Sequence, residues 1–393
     1  QAQALTRGTA RWVPSSAPSS SQALRCGGRS RRSSCVQCSA AGGAKKRLLF
    51  LGTPDVAASV LRHIIYEAQE PDASFELVGV ISQPGKPKGR GNKATPVPSP
   101  VEETARAWKK MPKDAVLTPA TAKDPEFLEQ VRAMKPDLCV TAAYGNILPQ
   151  AFLDIPPLGT LNIHPSLLPK YRGAAPVQRA LQAGEKVTGV SVAYTVLKCD
   201  AGPVLVQEKV AVDPEIQAPD LLQHLFDVGS QALIRSLPAV WAGKGPSMAV
   251  AQDDSAVVHA AKLTKEEGVL DPANASSAQA LHDTVRGFAG WPGTVVRLSL
   301  VDEASGAAEP MELRVIQTQT PNDADAAAYA ALSLSNPLEV GWSADGDMLL
   351  PCQGGKGGVL RVQVVQPPTK KALPAKDFRN GVRKKRIVLV PQK

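Results

Sequence analysis

The chain has 393 residues, of which 43% are hydrophobic, and this length suggests two domains that each bury a core. The formal net charge of +9 arises entirely before residue 48, because that segment carries nine Lys/Arg and no acid. In the rest of the chain the remaining 36 basic residues are balanced by 36 acidic ones. No run approaches the roughly 18 consecutive apolar residues that a membrane-spanning helix needs, so we expect no membrane association. The six cysteines are scattered, and Cys35-x-x-Cys38 lacks a second ligand pair, so neither disulfides nor a metal site is expected.

Residues 1–44 predict an organellar transit peptide, which we expect to be disordered, because the segment is rich in Ser and Arg and free of acids. The alternative is a disordered basic tail without a targeting role. The sequence VQCSAA at 36–41 favours the plastid stroma over the mitochondrial matrix.

Residues 45–243 predict one α/β domain, because apolar strand-length runs alternate with helical patterns. That order predicts a parallel sheet with helices on both faces. The run after Gly52 lacks a G-x-G-x-x-G pattern, which argues against a nicotinamide enzyme. The predicted strands are 47–51, 77–81, 115–117, 137–143, a short strand through 162–164, and 188–196 paired with 204–212. The predicted helices are 54–66, 100–110, 125–134, one opening near 174, and 219–237, the last stopped or kinked at Pro238.

A Pro-, Gly- and Lys-rich loop follows the second strand at 84–100. Four positive charges and no negative one occupy 84–93, which suits an anionic partner, although a solvated surface loop is the alternative. The charged residues are Lys86, Lys88, Arg90 and Lys93.

Polar side chains mark the ends of two predicted strands. Asn162 and His164 alternate along one strand, so they point to the same face. A carboxamide beside an imidazole can stabilise negative charge on a carbonyl oxygen, although an isolated N-x-H more often satisfies backbone groups. The preceding strand ends at Tyr144 and Gly145, and open sheets of this kind bind ligands where such strand ends meet.

The remainder of the chain changes character after residue 243. We predict a linker at 244–262 and a small β-barrel over 263–393, with strands at 295–300, 313–318, 347–350 and 359–365, and a surface loop at 322–331. Residues 370–393 contain nine Lys/Arg and one acid, including the RKKR run at 383–386, which suits a polyanion. A solvated basic terminus is the alternative.

Taken together, these segments resemble the methionyl-tRNA formyltransferase family. The run GTLNIHPSLLPKYRGAAPVQR at 159–179 carries the strongest similarity, and the order of the other matching pieces supports it. Pro165 is a departure, because many bacterial members have glycine there, and the loops of the C-terminal domain are longer. The other matching pieces are LFLGTP at 49–54, SQP at 82–84, PSPV at 98–101, AYGNILP at 143–149, TGV at 188–190, DAG at 200–202, KLTKEEG at 262–268, WPG at 291–293 and KKALPAKDF at 370–378.

This resemblance implies a Rossmann-like formyltransferase domain followed by an OB-like barrel that binds tRNA. It implies 10-formyltetrahydrofolate as formyl donor, initiator methionyl-tRNA as acceptor, no metal, and no further protein partner. Asn162, His164 and Asp200 would be the catalytic group. The folate site would involve Ser166, Leu167, Leu168 and Pro169, with Tyr144 and Gly145 nearby. The tRNA-binding residues would be Lys86, Lys88, Arg90, Lys93, Arg172, Lys384 and Lys385.

Two alternatives share these features. A folate-dependent formyltransferase acting on glycinamide ribonucleotide or an amino sugar nucleotide would carry the same N-x-H, SLLP and Asp core. The run RGAAPVQR at 172–179 and the basic segments favour aminoacyl-tRNA instead. A catalytically silent RNA-binding protein on the same scaffold is opposed by the presence of Asn162, His164 and Asp200.

Overall fold

The computed structural model describes residues 44–88 and 95–392, and of Lys88 and Thr95 it describes the backbone alone. The predicted transit peptide lies outside this range except for Ala44, as do Arg90 and Lys93. The predictions made for those residues therefore stay predictions.

A sheet with helices on both faces forms the first part of the described chain. Five of its strands, in the spatial order β7-β6-β1-β2-β5, run parallel, whereas β9 joins β7 in antiparallel orientation and β10 pairs in turn with β9, also antiparallel. The predicted parallel sheet is thus a mixed sheet, because the hairpin after β7 folds back onto its edge. The strands of this part of the chain are β1 (Lys46–Gly52), β2 (Phe75–Ile81), β3 (Lys86–Lys88), β4 (Thr95–Val97), β5 (Val116–Leu117), β6 (Leu138–Ala142), β7 (Thr160–His164), β8 (Arg172–Gly173), β9 (Val187–Tyr194), β10 (Val204–Ala211) and β11 (His259–Ala260).

Both faces of the central strand β1 are buried, which explains why its sequence is continuously apolar. Leu48 and Phe50 belong to the apolar cluster that includes the first and sixth helices, while Leu49 and Leu51 pack with Phe127 of the third. The helices are α1 (Asp55–Gln69), α2 (Pro100–Ala107), α3 (Pro125–Ala133), α4 (Gln150–Leu153), α5 (Pro176–Gln182), α6 (Ala218–Trp241) and α7 (Gly245–Met248).

The long helix α6 corrects one expectation. It does not stop at Pro238 but continues to Trp241, with Pro238 inside it. Leu237 and Val240 are buried against the sheet, so their packing holds the last turn although proline cannot donate a helical hydrogen bond there.

The C-terminal part of the chain is rich in β-structure and closes into a barrel. β19 pairs with β13 on one side, and the amide of Val340 donates to the carbonyl of Ile387 (2.8 Å) on the other, which closes the ring. Buried residues on β13, β14, β16 and β17 fill its interior. The remaining elements are α8 (Ala278–Gly287), α9 (Asp323–Ala331), α10 (Ala375–Gly381), β12 (Val269–Leu270), β13 (Thr294–Asp302), β14 (Ala308–Gln319), β15 (Gly341–Trp342), β16 (Met348–Pro351), β17 (Val359–Gln366), β18 (Leu373–Pro374) and β19 (Lys385–Leu389).

The predicted surface loop at 322–331 is instead the helix α9. Asn322 caps it by accepting a hydrogen bond from the amide of Asp325 (2.8 Å). Asp325 and Tyr329 are buried, and Asp325 forms an ion pair with Arg361 of β17 (3.3 Å). Packing onto the barrel therefore stabilises a helix whose mixture of Ala and Asp suggested a loop.

Residues 244–262, predicted as a linker, make regular contacts with the first domain. Val250 exchanges two backbone hydrogen bonds with Val204 of β10 (2.8 and 2.9 Å). β11 pairs with β8, so this segment passes alongside the residues that follow β7. None of the helices in the described ranges has the length and hydropathy to cross a membrane.

Candidate functional site

The carboxyl ends of β6 and β7 bring the first predicted site residues together. Thr141 and Asn162 are paired neighbours on these parallel strands. The Thr141 hydroxyl donates to Asn162 Oδ1 (2.8 Å), which fixes the orientation of the carboxamide and leaves Asn162 Nδ2 as its donor. The Asn162 side chain is half-buried, so this donor can still meet a ligand.

His164 ends β7, and its side chain is 6% exposed. Its Nε2 lies 2.9 Å from the carbonyl oxygen of Tyr171, which can only accept, so Nε2 carries the proton. Its Nδ1 lies 3.6 Å from Oδ1 of Asp200. A ring protonated on both nitrogens is favourable at both contacts, whereas a neutral ring would present a lone pair to the carboxylate.

Asp200 comes from the turn between β9 and β10, far along the chain from His164. Its Oδ2 accepts hydrogen bonds from the amide of Gly173 (3.0 Å) and from the thiol of Cys199 (3.3 Å). Its backbone adopts a left-handed conformation (φ 51°), which aspartate tolerates better than most residues. The three predicted catalytic residues therefore lie along one path, from Asn162 through His164 to Asp200.

The turn at 166–169, predicted for folate, is held from beneath by β9 and β10. Ser191 of β9 donates to the carbonyl of Ser166 (2.6 Å) and accepts from the amide of Leu168 (3.1 Å). Gln207 of β10 donates to the carbonyl of Leu168 (2.7 Å). The Ser166 hydroxyl donates to the carbonyl of Lys170 (2.7 Å), so it closes the turn from inside. Leu167 and Pro169 are the partly exposed members of this turn.

The loop after β6 presents backbone more than side chains. Tyr144 is buried among apolar residues such as Leu148 and Phe152, and burial raises the pKa of its hydroxyl, with the neighbouring Asn146 amide opposing part of the rise. Gly145 is exposed and has φ 86°, and a Cβ there would lie 2.6 Å from Nε2 of Gln83. Glycine is therefore required, and the start of the basic loop lies against this one.

Arg172 does not fit its predicted contact with tRNA. Its side chain is 4% exposed, its Nε donates to Gln252 (2.8 Å), and one terminal nitrogen forms an ion pair with Asp254 (2.8 Å). A guanidinium enclosed in this way cannot reach a phosphate in this conformation. The remaining terminal nitrogen is buried and has no hydrogen-bond partner in the described part of the chain.

The other described basic residues lie on the surface. Lys86 is exposed on the two-stranded β3–β4 ribbon, which leaves the carboxyl end of β2. Lys384 is exposed before β19, whereas Lys385 is half-buried and forms an ion pair with Glu309 (2.5 Å). Of these two barrel lysines, Lys384 has the more available charge.

Four residues that organise this site were missed in the sequence: Thr141, Ser191, Gln207 and Gln252. Each acts through a contact between distant segments, so no local pattern identifies it. Within the residues that the structure describes, no cluster of three His, Cys, Asp or Glu could hold a metal ion.

Comparison with known proteins identifies the family. Residues 46–237 match the family model "Formyl transferase", and residues 262–383 match "Formyl transferase, C-terminal domain". The chain is 38% identical to the methionyl-tRNA formyltransferase of Methylobacterium sp. (strain 4-46) over 337 residues, which is 86% of this chain and 96% of that protein. It is 35% identical to that of Moorella thermoacetica over 335 residues, 85% of this chain and 96% of that one.

A solved structure shows the same fold at low identity. HypX from Aquifex aeolicus in complex with tetrahydrofolic acid aligns with a TM-score of 0.52 and 14% identity, covering 86% of this chain and 47% of that one. The two family models and the length of the alignments to curated relatives carry the assignment. The chain belongs to the methionyl-tRNA formyltransferase family.

Proposed function

We propose that this chain transfers a formyl group from 10-formyltetrahydrofolate to the amino group of methionyl initiator tRNA, and that it does so for translation initiation in an organelle. The observation that carries the chemistry is the path Asn162–His164–Asp200 at the carboxyl ends of the strands. In this reaction the amine bonds to the formyl carbon, the bond from that carbon to folate N10 breaks, and one proton moves from the amine to N10.

Asn162 is the group best placed to stabilise the oxyanion that forms when the amine adds. Its Oδ1 is occupied by Thr141, so Nδ2 is the side-chain donor that remains for a substrate oxygen. Because this donor is already oriented, it does not have to reorganise when negative charge develops on the oxygen.

His164 and Asp200 would act as a charged pair. Direct donation from His164 to the oxyanion would require Nε2 to leave the Tyr171 carbonyl (2.9 Å) or Nδ1 to turn away from Asp200, which it faces at 3.6 Å. We therefore assign it an electrostatic role, in which a protonated imidazole near Asn162 stabilises the oxyanion. Asp200 would hold that ring and accept the proton of the attacking amine.

The turn at 166–169 and the loop at 143–146 form the proposed folate site. The Tyr144 hydroxyl and Asn146 Nδ2 are buried polar atoms that lie close to each other and have no other hydrogen-bond partner among the described residues. Buried polar atoms beside an exposed backbone loop fit the polar edge of a heterocyclic ligand. Leu167 and Pro169 would supply the apolar contacts.

Two basic regions would bind the tRNA. The ribbon strand that carries Lys86 and Lys88 leaves the same edge of the sheet as the proposed catalytic strands, so this basic segment, which continues in the sequence with Arg90 and Lys93, would meet the amino-acid end. The barrel would meet the phosphate backbone through Lys384, with a smaller part for the paired Lys385. A cleft of about 620 Å³ beside Lys385 is lined by Arg379, Arg383 and Arg386, but Glu303 and Glu339 line it as well, and Arg386 pairs with Glu339 (3.8 Å).

The test is formylation by the purified full chain with 10-formyltetrahydrofolate as donor. Methionyl initiator tRNA should be formylated at least a hundredfold more efficiently, in kcat/KM, than methionyl elongator tRNA, glycinamide ribonucleotide or an amino sugar nucleotide. Preference for either small amine would establish the alternative function, and formylation of both tRNAs at equal rates would remove the initiator assignment.

The organellar role needs a separate experiment. Residues 1–44 fused to a fluorescent protein should direct it to plastids in plant cells. Mitochondrial accumulation would reverse the choice of organelle, and retention in the cytosol would remove the targeting role.

A further inference from the structure

The turn that carries Asp200 receives much of its support from outside its own hairpin. Asp200 has φ 51°, and Gly202 passes so close to β9 that a Cβ there would lie 1.7 Å from the carbonyl oxygen of Tyr194. Inside the turn, the amide of Ala201 donates to the carbonyl of Lys198 (3.2 Å). Nearby Leu197 is 60% exposed, so apolar packing adds little to this part of the hairpin.

The support comes from residues 250–260, the segment that connects the two domains. Nε2 of Gln252 donates to the carbonyl of Asp200 (2.8 Å) and to the carbonyl of Gly202 (2.7 Å). One amide group thus satisfies two carbonyls on either side of Ala201, and it holds the backbone from which the Asp200 side chain reaches His164.

The other end of the same carboxamide is also fixed. Oε1 of Gln252 accepts from Nε of Arg172 (2.8 Å), so its orientation is set by partners on both sides. Arg172 is bound in turn to Asp254, which also pairs with Lys198 (3.0 Å) at the beginning of the turn. These contacts form a closed network between the turn, the signature run and the connecting segment.

We propose that Gln252 is a positioning residue that sets the distance between Asp200 and His164, and that Arg172 serves this network rather than tRNA. The inference rests on the proposed catalytic role of Asp200. The segment between the domains is thus part of the active site, since it holds the catalytic carboxylate in the left-handed conformation that directs it toward the imidazole.

The test compares three variants of the full chain. Gln252→Met keeps the length of the side chain and removes all three hydrogen bonds. Gln252→Glu keeps an acceptor for Arg172 but loses both donors to the turn. Gln217→Met is the matched control, because Gln217 also donates to a distant backbone carbonyl, that of Ile316 (2.9 Å), away from the catalytic turn.

Both Gln252 variants should lower kcat by about tenfold or more, because small misplacements of a catalytic group are costly, while KM for either substrate stays within about threefold. Gln217→Met should keep kcat. Equal kcat in Gln252→Met and wild type, or a loss that Gln217→Met reproduces, would overturn the proposal. So would a normal kcat in Gln252→Glu, which would show that anchoring Arg172 is sufficient.

An NMR measurement makes the test independent of activity. The ring nitrogen signals of His164, assigned by their loss in His164→Ala, should shift in both Gln252 variants and stay in place in Gln217→Met. Unchanged His164 signals would overturn the positioning role even if the activity fell. Shifted signals in a chain whose wild type fails to formylate methionyl-tRNA would support the positioning and refute the proposed function.

Discussion

Asp200→Asn tests the charged pair most directly, because this substitution removes charge and alters little else. The asparagine carbonyl can still accept from the amide of Gly173, and asparagine tolerates the left-handed backbone of this position. Its NH₂ group would face His164 Nδ1 and donate to it, which leaves the ring neutral. The oxyanion would then lose the nearby positive charge, and the amine would lose its proton acceptor.

The size of the loss follows from the geometry. The carboxylate lies 3.6 Å from Nδ1, and the two side chains are 14% and 6% exposed. Two unit charges at about this distance interact by roughly 4 kcal/mol at an effective dielectric constant of about 20, and only the part of this energy that is gained in the transition state affects kcat. At about 1.4 kcal/mol per tenfold change in rate, the full energy sets an upper limit of roughly a thousandfold, and we expect kcat to fall by roughly a hundredfold to a thousandfold, since the proton acceptor is lost as well.

Single-turnover formylation at saturating enzyme would measure the chemical step without product release. Filter binding of tRNA should change by less than about threefold, and thermal unfolding should shift by only a few degrees. Asp124→Asn is the matched control, because Asp124 is exposed and its side chain only caps α3 by accepting from the amide of Glu126 (3.1 Å). A rate for Asp200→Asn within about threefold of the control would refute the charged-pair mechanism.

Two further predictions concern charge on the surface and near the site. Arg90→Ala should lower kcat for methionyl-tRNA, since it misplaces the reacting end. Lys384→Glu should instead raise KM and reduce the slope of log KM against log salt by about one, with little change in kcat. Steady-state kinetics at several salt concentrations checks both variants, and the reverse pattern would contradict this division of roles between the loop and the barrel. Partial desolvation, together with the charge of Asp200 and the hydrogen bond that the thiol donates to it (3.3 Å), raises the pKa of the Cys199 thiol to about 11 from 9.0. At pH 8 iodoacetamide should therefore label this cysteine about a hundredfold more slowly than in the urea-unfolded chain. Peptide mapping by mass spectrometry would follow Cys199 separately from the other cysteines, and equal rates in both states would contradict the shift.

The parts of the fold that could be predicted from the sequence are those with a local signal. The continuous apolar run of β1 specifies a buried strand, and the strand predicted through 162–164 carries Asn162 and His164 to the end of β7. The alternation of β9 also predicts a strand, although six of its eight residues are buried on both faces. α9 had a usable signal that was missed, because Asn322 followed by Asp325 is a helix-capping pattern. No local pattern indicates that β9 joins β7 in antiparallel orientation, since the direction of a strand depends on the path of the chain between the two strands.

The site was less predictable, because its supporting contacts join segments far apart in sequence. Gln252 and Arg172 are separated by 80 positions, and Ser166 and Ser191 by 25. The resemblance implied that Arg172 contacts tRNA, yet Arg172 is buried because Asp254 and Gln252 enclose it. The role of Arg172 could be assigned only from its neighbours in space, not from its residue type.

The barrel is attached to the first domain by two sets of contacts, one of which reaches the proposed active site. α5 begins three residues after Gly173, and Arg179 on α5 forms an ion pair with Glu267 (2.5 Å) at the start of the C-terminal domain. Close packing reinforces this contact, since a Cβ on Gly287 of α8 would lie 2.9 Å from the carbonyl oxygen of Gln178. The connecting segment adds a second attachment through Gln252. Because the Gln252 attachment joins the turn that carries Asp200, a tRNA bound to the barrel would have its reacting end placed relative to the proposed catalytic pair by packed contacts, and the entropy of orienting the amine would be lost before the chemical step begins.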